Sequence, residues 1–142
     1  MNTDLTRAQE VLAAEGCTCV LCKGDIYYKS TRRGVAPLMG WLEEGIDTKG
    51  FSAADKVVGK ATAFLYCLLG VAAVHANVIS TPALAVLQAH NIPVTWGQLV
   101  DAIQNRTGDG LCPMETATRE VTDPADAPAA IRAALARLTA NK

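Results

Sequence analysis

The residue with the most chemical promise is Cys112. It follows Asp109-Gly110, precedes Pro113 at the first position of an expected helix, and has Glu115 where a capping acid belongs. A thiol at a helix start leans toward the thiolate. Cys112 is therefore a candidate nucleophile or covalent anchor, with Asp55 or Lys60 as proton carrier. The plainer reading is an unusual cap beside a structural turn, since neither His75 nor His90 lies nearby in sequence to act as a base. A second group gathers at other expected helix starts: Lys56 and Lys60, with Gly59 between them, and Ser80-Thr81 ahead of Pro82. Helix starts carry unpaired N–H groups and positive partial charge, which draw an anion or a polar carbonyl. The run NRTGDG (105–110) can wrap a phosphate or simply turn the chain. It has neither the Gly-Lys-Ser/Thr ending of a P-loop nor the glycine spacing of a dinucleotide fold. The catalytic candidates are Cys112, Asp55 and Lys60, and the ligand-binding candidates are Lys56, Ser80, Thr81, Asn105, Arg106 and Glu115.

Metal chemistry has one candidate, the cluster of Cys17, Cys19 and Cys22. On an extended strand Cys17 and Cys19 share a face and Cys22 takes the other, so three converging thiolates would need a bulge. Buried cysteines acting as small apolar residues are the better reading. The expectation is no metal and no cofactor. An odd cysteine count of 5 without a signal core in MNTDLTRAQEVL suggests free thiols and a cytoplasmic chain.

The elements that must position these residues follow from periodicity. Over 142 residues, half hydrophobic and 19% charged, one domain spanning 1–142 is expected. A formal charge of -1 recommends neither nucleic acid nor an anionic membrane as partner, and no apolar run is long enough to cross a bilayer. Residues 52–70 read as the organising helix, capped by Ser52, with Ala54, Val57, Val58, Ala61, Leu65 and Leu68 on one stripe. Helices are also expected at 3–15, 35–44, 82–90, 96–105, 112–121 and 129–138, and strands at 17–22, 25–28, 71–79 and 92–96. The strand at 71–79 reads as buried on both faces. Arg32 and Arg33 sit in a polar loop, either solvated or reaching toward an anionic ligand. The order implies an α/β fold: a three-layer α-β-α arrangement with a mixed four- or five-stranded sheet, two of its strands parallel.

That order resembles the cytidine-deaminase-like fold. The motifs DKVVGKA (55–61), VISTPAL (78–84) and NRTGDGLCPME (105–115) resemble, more closely, a prokaryotic family of unknown function assigned to that fold. Deaminases of the fold hold zinc with a His-x-Glu at the first crossover helix and a Pro-Cys-x-x-Cys at the second. Here those places read Asp55-Lys56-Val57 and Ser80-Thr81-Pro82-Ala83-Leu84, without imidazole or thiol. The resemblance therefore implies a zinc-free domain in which the helix starts surround one small hollow.

Three functions fit. The first is binding of a small anionic or nucleotide-like molecule at the helix N-termini. The second is a cysteine-dependent enzyme using Cys112 on a nucleotide or amide. The third is a non-catalytic regulatory or assembly subunit, for instance a homodimer, with contacts from Trp41, Tyr66 and the alanine-rich tail.

Overall fold

Strand Ser52–Val58 lies at the centre of the molecule, where the sequence pattern favours a helix. The computed structural model describes residues 3–32, 34–103 and 112–140. Helix α1 (Thr3–Glu15) leads into the hairpin β1 (Cys19–Lys23) and β2 (Ile26–Ser30), then α2 (Ala36–Glu44) and β3 (Ser52–Val58). Two crossovers follow: α3 (Lys60–Leu69) leads to β4 (Ala73–Ser80), and α4 (Thr81–Ala89) to β5 (Val94–Val100). The short α5 (Pro113–Ala117) and then α6 (Ala127–Ala140) complete the described chain. The five strands run in the order β2-β1-β3-β4-β5. Strand β1 is antiparallel to both β2 and β3, while β3, β4 and β5 are parallel.

The sheet has two differently covered faces. Alternate residues of β1 fall into separate clusters, Val20 and Cys22 with Ala8, Leu12 and Ala54, and Cys19 and Leu21 with Phe64, Leu65 and Tyr66. One face therefore packs on α1, and the other on the larger layer around α3. The small residues Ala53 and Ala54 let helices approach β3 from both sides, and each is fully buried.

Several expectations are corrected here. Residues 52–70 are not one helix but a strand, Gly59, and a helix. Because Ser52 through Asp55 are all buried, the strand shows no polar alternation, and its alanines mimic a helical stripe. The expected helix over 96–105 is largely β5, paired with β4 from Val74↔Val94 to Ser80↔Val100. Gly97 belongs there because a Cβ would lie 2.9 Å from the Asn77 carbonyl oxygen. The parallel set is thus three strands rather than two. Strand β4 is not buried on both faces: Asn77 is exposed and His75 half-buried. Cys17 and Cys19 do not share a face, because regular strand begins only at Cys19 and Cys17 packs with Cys22 under α1.

Candidate functional site

Asp55 is the one buried carboxylate on the central strand, and the fold supplies it with partners from two other elements. The Tyr66 hydroxyl, from α3, donates to Asp55 Oδ2 at 2.6 Å. The Cys19 sulfur, from the neighbouring β1, lies 3.1 Å from that hydroxyl. With the tyrosine hydrogen committed to Asp55, the thiol is the donor, giving a chain from thiol to phenol to carboxylate. Asp55 Oδ1 accepts from the Val57 N–H at 3.3 Å. Tyr66 is fully buried, Cys19 is 2% exposed and Asp55 7%.

Burial governs the protonation of this chain. It pushes the Asp55 carboxyl up to about 6, and the Tyr66 hydroxyl and Val57 N–H pull in the opposite direction. The Cys19 thiol is raised well above its ordinary range by burial and then by the Asp55 charge, as is the Tyr66 phenol. Cys19 and Tyr66 thus stay neutral donors.

Asp55 lies in the wall of a cavity of about 300 Å³. Most of the lining surface is apolar, with Val35, Pro37, Val57, Ile103 and Met114 among the residues that supply it. Polar lining comes from Thr18, Thr62, Arg32, Asp55 and Glu115, with the thiols of Cys19 and Cys112. Glu115 projects from α5 and is 8% exposed. Its Oε1 accepts the Lys60 backbone N–H at 2.5 Å and so caps α3. Gly59 permits this, since a Cβ there would sit 2.3 Å from that oxygen. Burial raises the Glu115 carboxyl, against the pull of the Lys60 N–H and ammonium.

The sequence candidates separate into three groups. Asp55, Cys112 and Glu115 come together in the cavity wall. Lys56 is exposed on β3, and Lys60 Nζ donates to the Arg119 carbonyl at 3.0 Å, over the Phe64 ring; neither lysine is among the lining residues. Ser80 and Thr81 serve their own neighbourhood: Ser80 Oγ accepts from Ala83 N–H to cap α4, and Thr81 donates to the Val100 carbonyl. Asn105 and Arg106 lie outside the described residues, as does Arg33. The expected meeting of three helix starts is thus reduced to two, those of α3 and α5, joined by Glu115. At five residues, α5 is too short to carry much aligned dipole, so the helix-start argument for Cys112 loses its basis. Tyr66, assigned above to assembly contacts, is wholly interior. The sequence reading missed its partnership with Asp55 and Cys19. No local signal gives it, because the pattern around Asp55 favours a helix and its burial follows only from the strand position.

Among the described residues no group of three or more His, Cys, Asp or Glu side chains is placed to hold a metal ion. His75 pairs with Thr95 at 2.8 Å, and His90 with the Val86 carbonyl at 2.9 Å. No helix among the described residues is long and apolar enough to cross a membrane.

Comparison with known proteins returns a family description and a fold. Residues 7–135 match the family described as TM1506, domain of unknown function (DUF1893). A solved structure of a DUF1893 family protein, TM1506 from Thermotoga maritima, superposes with a TM-score of 0.85 at 23% identity. The match covers 94% of this chain and 91% of that one. No curated protein matches.

Proposed function

The chain belongs to the DUF1893 family, and on that premise we propose that it binds a small organic molecule in the cavity beside Asp55. The observation that carries this reading is a buried, hydrogen-bonded carboxylate opening on an otherwise largely apolar hollow of about 300 Å³. Such a combination of apolar wall and few placed polar groups suits small-molecule recognition, and the volume is at the small end of the range. A simple anion seated on helix N-termini is the less favoured form of the reading. The N-terminus of α3 is already occupied by Glu115, and that of α4 by Ser80.

We read the domain as zinc-free and deaminase-like. The strand order with one hairpin and three parallel strands supports the fold half of that reading. With the crossover helices starting at Lys60 and Thr81, the residues to compare are Gly59-Lys60-Ala61 and Ser80-Thr81-Pro82. Neither stretch supplies an imidazole or a thiol, which supports the other half.

A fragment screen by protein-observed NMR tests the binding reading. Hits are expected to shift the amides of Val57, Ile103, Cys112 and Met114. Hits confined to other surfaces would refute it. A second reading, covalent chemistry at Cys112, is favoured by one observation: the half-buried thiol lines the same cavity as Asp55. It predicts that small amide-like electrophiles label the wild-type protein at Cys112 and that Cys112→Ser abolishes this adduct. Fragment binding retained in Cys112→Ser, with no adduct on wild type, would leave the binding reading alone.

A further inference from the structure

The inner wall of the cavity has a one-sided hydrogen-bonding character. The carboxylate of Asp55 has about four lone-pair sites on its two oxygens. Tyr66 fills one on Oδ2 and the Val57 N–H one on Oδ1. Two further donors, the Lys56 N–H and the Cys19 thiol, also bear on Asp55 but make their direct hydrogen bonds to the Thr18 carbonyl, at 3.1 Å, and to Tyr66. Acceptor capacity is therefore left on a group that borders the hollow. Two of the donors around it are committed elsewhere. The single Thr18 Oγ1 hydrogen is shared between the carbonyls of Arg32 and Ser30, and the Lys60 N–H is taken by Glu115. Among the described residues, the charged side chains in the lining are Asp55, Glu115 and Arg32, of which the two carboxyls are buried and Arg32 is exposed.

From this we infer that the cavity takes a molecule presenting an N–H donor edge, such as an amide, an amidine or an amino-substituted heterocycle, to the Asp55 carboxylate. The inference rests on the binding reading above and names its ligand class. An apolar ring behind the donor edge meets Val57, Ile103 and Met114. An inward-facing carboxylate or phosphate meets the two buried acidic groups and, among the described residues, no buried cation, an arrangement that disfavours entry. Tyr66 is a positioning residue: its hydroxyl holds one oxygen of Asp55 in place and so fixes the direction of the other.

Three probes that share a ring and differ only in their polar edge test this: benzamidine, benzamide and benzoate, titrated against the full chain by NMR. Benzamidine is expected to bind in the cavity at least about tenfold more tightly than benzoate, the gap given by one charge-assisted hydrogen bond, with benzamide between them. Asp55→Asn is expected to collapse the benzamidine-to-benzoate ratio to about twofold or less. Tyr66→Phe should lower the same ratio, a change in selectivity that loss of stability alone would not produce. The wild-type ranking stands without the variants, should either fail to fold. Benzoate shifting the cavity amides as strongly as benzamidine would overturn the donor-edge inference while upholding small-molecule binding. None of the three shifting those amides would overturn it as well, and the fragment screen would then decide the binding reading separately.

Discussion

Asp55 has an ionisation cost that shapes how stability depends on pH. Burial raises its pKa from an ordinary 3.8 to about 6, so the native state holds this proton where the unfolded chain has released it. Between about pH 4 and pH 6 the native state binds more protons, and stability from this group falls as pH rises, levelling off above 6. The shift corresponds to something on the order of 3 kcal/mol. Asp55→Asn removes the titration but keeps most of the shape. Relative to wild type, it is expected to gain stability between pH 4 and pH 7 by an amount of that order. Urea midpoints of the two proteins across the range check it; a pH-independent difference would show that the Asp55 pKa is not raised in the native state. Tyr66→Phe removes a hydrogen bond that favours the carboxylate. It should move the Asp55 transition to higher pH in a carboxyl-carbon NMR titration, and a downward move would contradict the assigned donor.

At the scale of elements, the junction of β3 and α3 shows what the sequence revealed and what it concealed. Helix α4 was legible because its signals are local: Ser80 caps it and Pro82 suits its first turn. Helix α1 was legible from its period and its terminal Gly16. Helix α3 has no cap of its own. Gly59 offers no side chain, and the capping carboxylate arrives from Glu115, far along the chain in α5. A long-range cap leaves no mark at the helix start, so the sequence pattern extends the helix back to Ser52. Within the site, Asp55, Cys112 and Glu115 are legible by type and spacing, whereas Cys19 reads as core and Tyr66 as a contact residue, because nothing local marks either as the partner of a distant carboxylate. The cap makes a prediction. Glu115→Ala should cost about 1 to 2 kcal/mol by leaving the Lys60 N–H without its partner. Gly59→Ala should act through the same contact, because its Cβ would occupy the space of Glu115 Oε1. The double variant should therefore cost clearly less than the two single changes added together. Full additivity in chemical denaturation would mean that Gly59 is needed for some other reason.

At the scale of the molecule, the two faces of the sheet differ in how much covers them, and that difference should be visible in thiol chemistry. One face packs against the layer containing α3, with Tyr66, Phe64, Leu65 and Leu87 buried there. The other has a small cluster under α1: Ala8, Leu12, Cys17, Val20, Cys22 and Ala54. A small cluster resting on one helix opens locally at less cost than the main core. Cys17 and Cys22 belong to the α1 side and Cys19 to the α3 side, although all three are buried. Leu12 is 4% exposed, and Leu12→Ala should cost about 2 to 4 kcal/mol by removing packed volume from this cluster. Loosening of α1 should speed alkylation of Cys17 and Cys22 under native conditions. Cys19 should stay protected, because its sulfur faces Tyr66 through the opposite side of the sheet. Leu138→Ala, at a residue already 44% exposed, should change neither stability nor labelling appreciably. Peptide mapping after timed alkylation reads all three sites at once. Simultaneous labelling of Cys17, Cys19 and Cys22 in the Leu12 variant would show that the molecule opens as one cooperative unit, and that the cluster beneath α1 has no separate stability of its own.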